Sequence, residues 1–169
     1  DEAGAARGLF GPRPVADPAL DQARGIVVIV PGLCGSELKL GTRDVWANLL
    51  ALAGGAFNDD LRYDNKSVAA GQPLPDSYLG LANALRKRGY IATLHGYDWR
   101  KPVADSVDGL AKTLGDALAK AQTIGKPVHA IVHSMGGVLI RATLARDEAL
   151  WKAWNSQPGE PRVVMLGTP

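Results

Sequence analysis

A single cysteine, Cys34, stands among the 169 residues, so no disulfide framework can staple the chain. Three histidines beside that one thiol cannot build a cysteine-rich zinc site. No apolar run approaches the roughly 20 residues of a membrane-spanning helix. Neither sign of charge dominates. Nineteen Lys and Arg against seventeen Asp and Glu leave a formal +2, too even to argue for nucleic acid or an anionic membrane. No Gly-rich loop has the spacing of a phosphate or dinucleotide motif, so no cofactor and no metal is expected. The amino end has no signal-peptide pattern. Asp1 in place of an initiator Met suggests a processed or trimmed start, and no compartment follows from it.

What is present points to one compact domain with a real core, since 46% of the residues are hydrophobic. Residues 1–24 carry Pro12, Pro14 and Pro18 without periodicity and predict an irregular arm. From residue 25 the pattern changes. "GIVVIVPG", Gly25 to Gly32, is a short β-branched run closed by Pro-Gly, the signature of a buried parallel strand. Val45, Trp46, Leu49, Leu50 and Ala53 share one helical face, and residues 56–75 read as a long loop. "DSYLGLANALRKRG" predicts a helix capped by Asp76 or Ser77 and ended by Gly89, with Arg86 to Arg88 as its solvated end. "YIATLHG" is a second strand. A long helix follows Pro102, with Val103, Val107, Leu110, Leu114, Leu118 and Ala121 near a 3.6 spacing. "PVHAIVH" is a third strand, residues 134–146 a helix, and "RVVML" a fourth strand. Alternating strands and helices predict an α/β fold, a mostly parallel sheet with helices on both faces.

The chemistry gathers at "IVHSMGGVLI", Ile131 to Ile140. Ser134 directly follows the third strand, at the carboxyl edge where ligands collect in such sheets. One reading makes it a nucleophile on a strained strand-to-helix elbow; the other makes it a plain helix cap. The usual elbow is Gly-x-Ser-x-Gly, and here Val132 takes the first position. A nucleophile also needs oxyanion donors. The Met135 amide opens the next helix and can be one. "VPGLCGSEL", Val30 to Leu38, leaves the first strand with Gly32 and Gly35 to turn on, and the Leu33 amide can be the second.

"VIVPGLCGSELKL", "VWANLL", "GYDWR", "HSMGG" and "LGTP", in that order, resemble the lecithin:cholesterol acyltransferase-like branch of the α/β-hydrolases, which includes bacterial lipases and esterases. The resemblance covers roughly residues 25–169. It implies Ser134 as nucleophile, with the Leu33 and Met135 amides as oxyanion hole, acting on an acyl ester or lipid substrate. It also exposes a gap. The triad of this fold runs Ser, acid, His along the chain. After Ser134 stand Asp147, Glu148 and Glu160, but no His. The expectation is therefore the N-terminal portion of a hydrolase domain, with acid and base on a continuation or a separate chain.

Other residues carry quieter expectations. Asp98, Trp99 and Arg100 form an ion pair and a packed indole that brace a loop, or else a wall of the acyl site. His95 is a half-buried, hydrogen-bonded histidine rather than a base. Cys34 is a small packed side chain. Trp46 and the loop to Pro75 form a lipid-binding cap or an insertion that completes the core. Trp151 and Trp154 cover the sheet edge. The rival to an enzyme is a non-catalytic binding or scaffold protein. Amide or thioester cleavage would use the same motifs.

Overall fold

The computed structural model describes residues 13–46 and 59–169. Four strands form a parallel sheet: β1 (Ile26–Val30), β5 (Ile91–Leu94), β6 (Val128–His133) and β7 (Val163–Leu166), in the order β5-β1-β6-β7. Every residue of β1 is buried. Its alternation explains why. Ile26, Val28 and Val30 point into one apolar cluster, and Val27 and Ile29 into a second on the opposite face.

Helices cover both faces. α1 (Pro75–Lys87) lies over the Val27–Ile29 side through Tyr78 and Ala82. α2 (Val103–Gln122), α3 (Met135–Arg146) and α4 (Glu148–Asn155) cover the other side. Val107, Leu110, Leu114, Ala117 and Ala121 form the buried stripe of α2. The α/β architecture and the order of its principal elements follow the sequence expectation. Among the described residues, no helix is long and apolar enough to cross a membrane.

Between β1 and α1 the chain builds a second, antiparallel sheet: β2 (Ser36–Leu40), β3 (Arg43–Asp44) and β4 (Val68–Pro73), in the order β3-β2-β4. This corrects two expectations. β4 lies within the expected loop of residues 56–75. The helical face expected from Val45 does not begin there: Arg43 and Asp44, just before it, pair with Leu40 and Lys39 of β2. Val45 follows as a buried residue whose N–H reaches Leu38 O at 2.8 Å. The helical face of Leu49, Leu50 and Ala53 lies outside the described residues.

Smaller corrections concern ends. α1 starts at Pro75 behind Leu74, with no side-chain cap bond, so Asp76 is a first-turn acid and not the cap. Arg86 is not a solvated end: its Nε donates to Asp17 Oδ1 at 2.8 Å and its terminal nitrogen to Ala92 O at 3.0 Å. α4 is an additional short helix, capped by Asp147, whose side chain accepts from the Leu150 amide. Of its tryptophans, Trp154 is buried in the core while Trp151 stays exposed. Val164, Met165 and Leu166 of edge strand β7 are also exposed.

Candidate functional site

Parallel pairing of β1 with β6 matches Val30 to Val132. The loops that leave these two strands, residues 31–35 and the turn at Ser134, therefore emerge side by side at the carboxyl edge. Ser134 turns with φ 49° and ψ −122°. A non-glycine residue held there costs about 1–3 kcal/mol. The ladder holds it: its N–H donates to Leu166 O at 2.8 Å, and its carbonyl accepts from Gly137 N–H at 2.9 Å. Ser134 occupies the N-cap position of α3, yet its side chain makes no cap bond. The plain-cap reading of this serine is not what the geometry contains. Val132 is fully buried in the larger cluster, so its β-carbon is absorbed by the core.

The glycines record how closely the two loops approach. A β-carbon on Gly32 would stand 2.9 Å from His133 Nδ1 and 3.0 Å from Ser134 Cβ. One on Gly136 would strike the carbonyl oxygens of Pro31 and Val30, and one on Gly137 the side chain of Thr168. Only hydrogen fits at these positions.

The 31–36 loop is held at nearly every residue. Gly35 N–H closes a turn onto Gly32 O at 3.0 Å. Tyr97 Oη donates to Pro31 O at 3.2 Å, Trp46 Nε1 to Cys34 O at 2.7 Å, and Trp99 Nε1 to Ser36 O at 3.0 Å. Ser36 Oγ, fully buried, accepts from Tyr97 N–H at 3.1 Å. The two indoles meet edge to face, with centroids 4.9 Å apart. Leu33 stands 58% exposed on this framework. Met135 is half-buried at the first position of α3, where backbone N–H groups lack intrahelical acceptors.

Tyr78 joins loop to elbow. Its hydroxyl accepts from Gly32 N–H at 3.1 Å and lies 2.9 Å from His133 Nδ1. Sequence reasoning did not find this residue. It reads as one more position on the α1 helix, and its partners stand 46 and 55 residues away.

The remaining candidates serve structure. Arg100 forms a bidentate pair with Asp98 at 2.9 and 2.8 Å and donates to the carbonyls of Asp60, Arg62, Asn65 and Val68. Burial pushes the Asp98 carboxyl up, but the Arg100 bonds and charge outweigh this and hold it below its ordinary range. Together with the packed Trp99, this is the loop brace. His95 bonds Thr113 Oγ1 through Nδ1 at 2.9 Å, and burial drives its ring down to about 4. His129 sits near the amino end of β6, accepts from Arg162 N–H at 3.2 Å and meets Tyr90 edge to face. Burial raises the Cys34 thiol, which favours the unreactive protonated form.

A cleft of about 300 Å³ lies on the α1 side, lined by Ile29, Tyr78, Leu81, Ile131, His133 and Leu166 among others. A larger hollow of about 700 Å³ runs between α2 and α4 and takes no residue from the elbow or the loop. Among the described residues, no group of three His, Cys, Asp or Glu side chains could hold a metal ion. Set against models of known families and against curated proteins, the chain matches none.

Proposed function

We propose that the chain carries the nucleophile half of a serine hydrolase of the α/β-hydrolase type, acting on carboxylic esters with an apolar acyl part. One observation carries this reading. A serine with positive φ stands between strand and helix, does not cap that helix, and faces a loop so close that only glycine fits at 32 and 136. Strained turns of this kind expose a nucleophilic oxygen.

Ser134 Oγ attacks the ester carbonyl, and its proton passes to a general base. The carbonyl oxygen takes the negative charge and receives the Leu33 and Met135 N–H groups. Collapse expels the alcohol, which takes the proton back, and leaves the acyl group on Ser134. Water then releases the acid, or a second alcohol accepts the acyl group. Exposed Leu33 on the oxyanion loop offers an apolar contact to the acyl chain. None of the three histidines serves as the base. His95 is tied to α2, His129 lies near the other end of β6, and His133 turns to Tyr78. The proposal assigns base and orienting acid to residues outside this sequence.

A second reading is a non-catalytic binding protein on this fold, favoured by the engagement of all three of these histidines with partners other than Ser134. Fluorophosphonate labelling of the full-length protein separates the two. Labelling of wild type that vanishes in Ser134→Ala supports the hydrolase. Labelling that persists in the variant, or never occurs, rejects it.

A further inference from the structure

We propose that Tyr78 is a positioning residue for this site: its hydroxyl ties the 31–35 loop to the Ser134 elbow and so sets the spacing between the Leu33 and Met135 amides. The proposal rests on the serine-hydrolase reading and adds to it the part that holds the oxyanion donors in register.

A phenol hydroxyl has one proton and two lone pairs. Here one lone pair receives Gly32 N–H at 3.1 Å, and the remaining capacity meets His133 Nδ1 at 2.9 Å. Room for the hydroxyl comes from glycine. A β-carbon on Gly35 would stand 2.8 Å from Tyr78 Oη, so the oxygen lies in the hollow of the Gly32–Gly35 turn. Both partners adjoin the donors. Gly32 precedes Leu33, and His133 lies two residues before Met135. The ring is buried beside Val27, Ile29, Ala82 and Ala92. The helix that carries it is pinned to the same loop, because Leu74 N–H donates to Gly35 O at 2.8 Å and Tyr78 N–H to Leu74 O at 3.0 Å. Loop and helix are thus closed into one hydrogen-bonded ring, and Tyr78 Oη joins the elbow to it through His133. Oxyanion donors work within about 2.7–3.1 Å of the charge they stabilise. A loop that drifts a few tenths of an ångström leaves that range without unfolding.

The test uses the full-length protein and a p-nitrophenyl butyrate assay, with reactive serines counted by fluorophosphonate taken to completion. Tyr78→Phe keeps the ring and removes the hydroxyl. The expected result is an undiminished serine count, a kcat per titrated serine lowered about 10- to 100-fold, and a KM within about threefold. A lower serine count with unchanged kcat per serine would mean a merely structural tyrosine and overturns the proposal. His133→Leu removes the other anchor from an exposed position and carries the test should Tyr78→Phe not fold; an unchanged kcat per serine there also overturns it. The double variant should be no worse than the weaker single, and additive losses count against a shared link. The two readings fail separately. Labelling that persists in Ser134→Ala removes the hydrolase and this proposal with it. Clean loss of labelling in Ser134→Ala, with Tyr78→Phe as fast as wild type, removes only the role of Tyr78.

Discussion

Ser134 holds a backbone conformation in which its own β-carbon is the problem. The strain of about 1–3 kcal/mol belongs to any side chain there, alanine included, and disappears only with glycine. Against this, glycine gives the unfolded chain more freedom, worth about 0.5–1 kcal/mol. Ser134→Gly should therefore be more stable than Ser134→Ala by about 1 kcal/mol, read as a higher urea midpoint at an unchanged slope. A glycine variant no more stable than the alanine one would show that the turn is not strained. The serine and both glycine pairs of the site were legible from the chain, because tight turns restrict residue type locally. Tyr78 was not. A hydroxyl that acts across 46 residues leaves no local mark, and its ring satisfies the same helical pattern as any apolar neighbour.

At the level of elements, the parallel strands announced themselves through β-branched runs, and α2 through its buried stripe. The antiparallel sheet did not. β4 is half exposed and holds Gly71 and Pro73, so it reads as loop, and β3 is only two residues long. What orders this region is a side chain far from it in sequence. Arg100, 2% exposed, spends its donors on Asp98 and on four carbonyls between residues 60 and 68. Arg100→Ala leaves the largely buried Asp98 carboxylate without its main partner and those carbonyls without donors. Breaking such a pair costs about 3–5 kcal/mol. Limited proteolysis should find new cleavage between residues 59 and 68, at protease concentrations that leave wild type intact. Arg100→Lys should fall in between, since an ammonium cannot reproduce the fork. Equal resistance in all three proteins would mean that β4 pairing alone orders the segment.

Across the whole molecule, two apolar clusters hold the sheet between its helices, and the half-buried imidazole of His95 lies against α2. His95 follows β5, donates its backbone N–H to Ile29 O at 2.9 Å and lays its ring on α2. His95 Nδ1 and Thr113 Oγ1 share a bond of 2.9 Å, and the Thr113 hydroxyl also reaches Gly109 O at 3.2 Å. Nε2 is buried and without a partner among the described residues. Protonation there would create an uncompensated buried charge, which is why burial lowers the ring to about 4. In the unfolded chain the same ring titrates near 6.5. Between these values the unfolded state binds a proton that the folded state refuses. The contribution is therefore complete above about pH 6.5 and is lost as pH falls toward 4, amounting to about 3 kcal/mol at 1.36 kcal/mol per unit. His129 is shifted in the same direction by burial and then by Arg162, so some slope remains without His95. Asp98, held low, is separable because its contribution is lost only as pH falls below the ordinary carboxylate range. His95→Asn keeps a donor toward Thr113 and removes the titration. Urea midpoints measured from pH 7 to pH 4 should fall much less steeply in this variant than in wild type. Parallel curves would mean that the ring finds solvent or a counter-charge when protonated, and that the contact of His95 with Thr113 on α2 opens readily.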